Sequence, residues 1–221
     1  MPNPSHATGP TRWAGVPAAD RRSERRELLL DAAFDLLGTV GWSGTTVRAV
    51  CQAARLNARY FYESFSDLDA LVVAVYDRLV AQLGESVVAA VDAAGSSARS
   101  QTRAAIETIV GFVDDDRRRA RVLYVEALGN EALNRRRVST GRAVVAFVER
   151  DAAARRGAPA PGEKIGRITA AVLVGGLSEL LVAWLDGGID VSRHQLVDDA
   201  TELFLALGGA AARIAASRAR A

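Results

Sequence analysis

The stretch TTVRAVCQAARLNARYFYESFSDLDAL, residues 45–71, decides the fold. It reads as a short helix, a tight turn, a second short helix dense in aromatics, and the start of a long helix. Four of the six residues from Tyr60 to Phe65 are aromatic, against 6% of the whole chain, so the packing anchors of this unit are concentrated in one place. Two short helices at a sharp angle, the second with Asn57, Arg59 and Tyr60 on its outer face, make a shape that fits the major groove of DNA.

Working outward, residues 21–40 carry Leu29, Leu30, Ala33, Phe34, Leu36 and Leu37 at helical spacing, with Gly41 as the stop. Thr45 is expected to cap the helix over residues 46–53, Asn57 the helix to residue 62, and Ser66 a long helix reaching about residue 93. Asp67 and Asp69 suit that helix's N-terminus, and Leu68, Leu71, Val72, Val75, Leu79 and Leu83 form its apolar stripe. Further helices are expected over residues 98–114, 118–128, 131–156, 163–185 and 193–216, the last capped by Ser192. No strand pattern and no internal repeat is visible, so the class is all-α. Residues 1–19 are rich in Pro, Gly and small polar residues and read as a disordered tail. The organisation expected is a three-helix unit over residues 20–66 and a helical regulatory and dimerisation domain over residues 67–221.

Composition narrows the chemistry. Residues 1–66 hold 8 Arg against 6 acids, whereas residues 67–221 hold 20 basic and 20 acidic side chains, so the modest positive excess sits with the short helices. Cys51 is the single cysteine, which excludes an internal disulfide and a cysteine metal cluster. His6 and His194 are far apart, and no phosphate-binding loop is present, so neither a metal nor an organic cofactor is expected, and no enzyme activity. No uninterrupted apolar run approaches the ~18 residues of a membrane span, and residues 1–20 lack a signal-peptide core, so a cytoplasmic protein without membrane contact is expected.

Residues 21–71 resemble the TetR family of bacterial transcriptional regulators, through Phe34, Gly41, Thr45, Thr46, Val47, Val50, Phe61, Tyr62, Phe65 and Leu71. Two positions depart from the family pattern. Arg55 stands in the turn where many members have Gly, and Leu68 stands where many have Lys, a residue that sits near the DNA backbone.

The resemblance implies DNA contacts by Thr45, Thr46, Arg48, Asn57, Arg59, Tyr60 and Tyr62. Arg59 can bond guanine in a bidentate way, and Tyr62 matches a phosphate-binding tyrosine. Phe61 and Phe65 are expected in the core, Trp42 either in the core or beside the backbone, and Cys51 in close helix packing. The Arg12-Trp13 pair is a candidate minor-groove arm, though such tails are more often idle. Arg117–Arg119 and Arg135–Arg137 read as solvated helix faces, and Asp114–Asp116 as a capped loop rather than a metal site.

Residues 163–185 are apolar on more than one face, and residues 193–216 repeat the theme with Leu203, Phe204, Leu207 and Gly208. By resemblance these two segments form a four-helix interface in a homodimer. The resemblance also places an effector pocket among the middle helices, with Phe112, Leu123, Tyr124, Leu128, Phe147, Val172, Gly176, Leu180 and Trp184 as candidate lining and Glu126, Glu179 and Arg142 as candidate polar anchors. It implies a repressor released from a double-stranded DNA operator by a small hydrophobic molecule. The alternative is an all-α small-molecule-binding protein or enzyme that does not bind DNA.

Overall fold

The computed structural model describes residues 18–156 and 163–220. Among them nine α-helices and no strand occur. The order is α1 (Ala18–Thr39), α2 (Val47–Ala53), α3 (Ala58–Tyr62), α4 (Leu68–Ala93), α5 (Ala98–Asp114), α6 (Arg117–Ala120), α7 (Glu131–Arg156), α8 (Glu163–Leu185) and α9 (Arg193–Ala219). Of the expected tail, residues 1–17 lie outside the described residues, whereas Ala18 and Ala19 begin α1; residues 157–162 also lie outside them.

Each helix start has a local cause. Thr46, not Thr45, caps α2 by accepting from the Ala49 amide, and Asp67, not Ser66, caps α4 by accepting from Ala70. In both pairs either residue type can cap, and the one whose side chain reaches the third amide along is the one that does. Asn57, Ser97 and Ser192 cap α3, α5 and α9 in the same way. Gly41 ends the first helical segment with φ 77, a left-handed geometry that suits Gly.

Two cores organise the chain. The first joins Leu29, Leu30, Ala33 and Leu37 of α1, Val50 and Cys51 of α2, Phe61, Phe65, and the α4 residues Leu71, Val72, Val75, Tyr76 and Leu79, and continues into Val122, Leu123, Ala127 and Leu133. The second joins Ile106, Val110 and Val113 of α5 to Leu177 and Leu181 of α8 and Leu196, Val197 and Ala200 of α9. Phe112 and Tyr124 touch both.

The expected single helix over residues 118–128 is three pieces. After α6 the backbone widens into a π turn at Arg121–Val125, then tightens into a 3₁₀ turn at Glu126–Leu128. This irregular segment holds the N-terminal unit to the rest. Glu126 accepts from the Trp42 amide at 2.6 Å and from Arg121 Nε at 2.7 Å. Arg121 also donates to the Thr39 carbonyl, and Arg118 to Asp35 of α1, each at 2.7 Å. A Cβ at position 41 would lie 2.7 Å from Arg121 Nη2 and 2.8 Å from Glu126 Oε1 and would displace the ends of those two side chains, while the positive φ is what calls for Gly there.

The Arg runs are therefore not simply solvated faces. Arg117 donates to the Leu185 carbonyl, Arg118 pairs with Asp116 and Asp35, and Arg119 lies over the Phe112 ring at 4.5 Å. Arg193 of α9 pairs with Asp115 at 3.2 Å and Asp114 at 3.7 Å, while Asp116 caps α6. Among the described residues no group of three or more His, Cys, Asp or Glu is placed to hold a metal ion. The segment Lys164–Leu185 is long and apolar enough to cross a membrane by length and composition, although charged residues interrupt it.

Candidate nucleic-acid interface

The second short helix, α3, is five residues long and has little stability of its own. It is held by its ends and one face. Asn57 Oδ1 accepts from the Tyr60 amide at 3.3 Å, and Phe61 is fully buried with Phe65 6.0 Å away, centroid to centroid. Burying those two rings pins α3 against α1 and α4 and leaves the opposite face outward. On that face Arg59 is 83% exposed and Tyr62 62% exposed. Asn57, Arg48 and Thr46 are also exposed.

Charge around α3 is arranged through Glu63. Its carboxylate accepts from Arg59 Nε at 3.0 Å and from Arg25 Nη2 at 3.5 Å, and its carbonyl accepts from Arg22. The Arg25 guanidinium lies 4.4 Å from the centre of the Tyr60 ring, so Tyr60 is half-buried beneath a cation rather than projecting freely. The bond from Arg59 uses Nε, so its two terminal nitrogens are not engaged by Glu63, and the side chain is largely exposed. Arg22, Arg25 and Glu63 were not among the residues expected at this surface. Their link to α3 spans about forty residues of chain and leaves no local pattern.

Thr45 does not belong to this surface. It is 3% exposed, its hydroxyl donates to the Gly41 carbonyl at 2.8 Å, and its amide donates to the Trp42 carbonyl at 3.0 Å. Thr46 occupies the exposed position instead. Trp42 packs against the first core, and Cys51 is buried, where desolvation pushes its thiol up. A thiol held protonated inside a helix contact is a packing residue, not a reactive one. Arg55 takes φ 54 in the turn, so the residue that replaces Gly there adopts the conformation Gly adopts easily. Leu68 is partly buried and packs against the first core.

The candidate pocket residues are spread over different environments. Phe112, Tyr124, Leu180 and Trp184 gather on the second core, and Leu123 is buried in the first. Leu128, Phe147 and Val172 are 69%, 54% and 54% exposed, and Gly176 is exposed too. Of the candidate anchors, Glu126 is spent on Trp42 and Arg121, while Glu179 and Arg142 face outward.

Residues 29–75 match the family described as bacterial regulatory proteins, tetR family. No curated protein matches the chain. Several solved structures do. A proposed transcriptional regulator from Pseudomonas aeruginosa PAO1 is 21% identical with a TM-score of 0.69, covering 92% of this chain and 98% of that one. A TetR-like transcriptional regulator from Rhodococcus sp. RHA1 is 25% identical with a TM-score of 0.61, covering 87% and 96%. The fatty acid degradation regulator FadR from Bacillus halodurans is 15% identical with a TM-score of 0.70, covering 84% and 95%. Residues 29–75 thus belong to the tetR family of bacterial regulatory proteins, and the described chain has the all-helical fold of TetR-like regulators.

Proposed function

We propose that this chain is a homodimeric, cytoplasmic DNA-binding regulator, a repressor released from its operator by a small hydrophobic molecule. Residues 20–66 read DNA, and residues 67–221 dimerise and sense the effector. The carrying observation is α3 itself, a capped helix clamped by Phe61 and Phe65 that presents Arg59, Tyr62 and Asn57 to solvent. Arg59 reads a base edge, Thr46, Arg48 and Tyr62 hold phosphates, and Tyr60 with Arg25 borders them. Release is a population shift. A molecule that binds better to the conformation with α4 displaced moves the two recognition helices off the ~34 Å spacing of successive major grooves. Phe112, Tyr124, Leu180 and Trp184 support a sensing site because their aromatic and apolar surface collects on the second core, with Phe112 and Tyr124 also reaching the first.

Selection of the full-length protein on a random double-stranded DNA library tests the reading. A two-fold symmetric site should emerge, and its occupancy at the promoter should lower transcription. Enrichment of no sequence would overturn the DNA-reading role. Within the selected site, Arg59→Ala should cost about 1–3 kcal/mol and relax one base pair per half-site. An equal loss on all sequences would make Arg59 a phosphate contact instead.

A further inference from the structure

Where α4, α7 and the π turn meet, one buried guanidinium nitrogen, Arg137 Nε, stands without an acceptor among the described residues. Tyr76 of α4 is 4% exposed within the first core, and its hydroxyl faces that of Thr140 on α7. Three residues back on the same face of α7, Arg137 has its Nε buried with no hydrogen-bond partner. Its Nη2 reaches only the Asn134 side-chain oxygen, at a long 3.4 Å. Among the described residues no carboxylate pairs with Arg137, although its neighbours Arg135 and Arg136 pair with Glu131 and Asp77. Tyr124 completes the group from the π turn. It lies beside Tyr76, touches both cores, and is deep enough that burial pushes its hydroxyl up to about 12. Tyr124 keeps part of its surface accessible.

Every member of this set can donate, and Arg137 carries a positive charge. A buried guanidinium nitrogen left unpaired is costly, so its persistence points to a partner that arrives from outside the chain. A guanidinium fork fits a planar carboxylate with two parallel bonds, and tyrosine and threonine hydroxyls suit its outer lone pairs. Phe112 and Tyr124 carry the lining on towards the second core, which suits an apolar body. We propose that Arg137, Tyr76, Thr140 and Tyr124 form the polar end of the effector site, and that the effector is a hydrophobic molecule bearing a carboxylate. This rests on the reading of the chain as effector-responsive and assigns the chemistry of that site. An amine or a fully apolar molecule would leave the fork unpaired and add desolvation cost.

Matched probes test it with no operator needed. Decanoate and 2-naphthoate, each against its methyl ester, are titrated into the full-length protein by calorimetry, with melting temperature as a second reading. At least one acid should bind tenfold or more tightly than its ester and raise the melting temperature. Arg137→Gln should abolish that preference while leaving ester binding unchanged, and Tyr124→Phe should reduce it severalfold without loss of fold. Esters that bind as well as acids would overturn the carboxylate assignment and leave the effector-responsive reading standing. An acid preference that survives in Arg137→Gln would also overturn it. Failure of all four probes to bind would count against the effector-responsive reading itself and take this proposal with it. If Arg137→Gln does not fold, the wild-type acid-to-ester ratio and Tyr124→Phe still decide.

Discussion

At the scale of single residues, two positions depart from the family pattern and the structure gives each a distinct physical meaning. Arg55 holds φ 54, a region that costs an L-residue about 1–2 kcal/mol. Arg55→Gly relieves that strain but adds freedom to the unfolded chain, so the net gain should be about 0.5–1 kcal/mol, read as a higher denaturant midpoint. If Arg55 also holds a phosphate, the same change should flatten the salt dependence of DNA binding by about 0.9 per subunit. A lower midpoint would mean that the Arg55 side chain contributes more than its backbone costs. Leu68 is the opposite case. A Lys near the first turn of α4 would add a phosphate contact if the side chain faced outward, but Leu68 packs against the core that holds Phe65. Leu68→Lys should therefore lower stability by about 1–3 kcal/mol with an unchanged salt slope. A steeper slope at an unchanged melting temperature would put position 68 on the DNA face. The sequence marked both positions as exceptions, but backbone φ and side-chain direction decide their meaning, and neither has a local signature.

At the scale of elements, helix positions were legible because apolar spacing and capping residues are local properties. The bounds of α5, α7 and α8 agree with those read from the sequence. The caps of α2 and α4 differ by one residue from those expected because Thr45-Thr46 and Ser66-Asp67 each offer two competent capping types, and in the first pair tertiary packing buries Thr45. The π turn was not legible. One extra residue in a turn changes no composition, and the bonds that tie this segment down, from the Trp42 amide to Glu126 and from Arg121 to the Thr39 carbonyl, span 84 and 82 residues of chain. This segment should behave as the mechanical link between the DNA-reading unit and the bundle. Glu126→Ala leaves the Trp42 amide and the Arg121 side chain without their charged acceptor, a loss of about 2–3 kcal/mol by the usual worth of bonds to charged groups. The loss should appear in urea unfolding, and hydrogen exchange should quicken at residues 39–45 before it does in α8 and α9. Uniform quickening across the chain would show that Glu126 serves general stability rather than this link. The candidate site divides in the same way. Asn57, Arg59 and Tyr62 were legible from a capped aromatic helix, whereas Glu63 with Arg25, and Arg137 with Tyr76, depend on contacts between distant helices.

At the scale of the whole molecule, one chain leaves its most apolar helix poorly covered. Only 17% of the apolar window in Lys164–Leu185 is buried, although Leu177 and Leu181 on one side are in the second core. Ile168 and Val172 of α8 are 57% and 54% exposed, and Leu203 and Leu207 of α9 are 60% and 41% exposed. A surface of that kind on adjacent helices suits a second copy of the chain, which also supplies the second recognition helix that a two-fold operator needs. Leu177 and Phe204 pack on the second core, so arginine there would test folding rather than assembly. Leu203→Arg is the cleaner probe because the side chain already faces solvent in one chain. It places a charge on both sides of a symmetric contact, and each unpaired buried charge costs about 3–5 kcal/mol. Sedimentation should show the variant as monomer at micromolar concentration with a helical spectrum unchanged from wild type. Its affinity for a full symmetric site should fall by orders of magnitude, while its affinity for an isolated half-site stays as before. That second comparison matters because a misfolded variant would lose both. A wild-type chain that sediments as a monomer at the same concentration, or a Leu203→Arg variant that remains dimeric, would remove this face from the assembly and require another surface to hold the two reading heads.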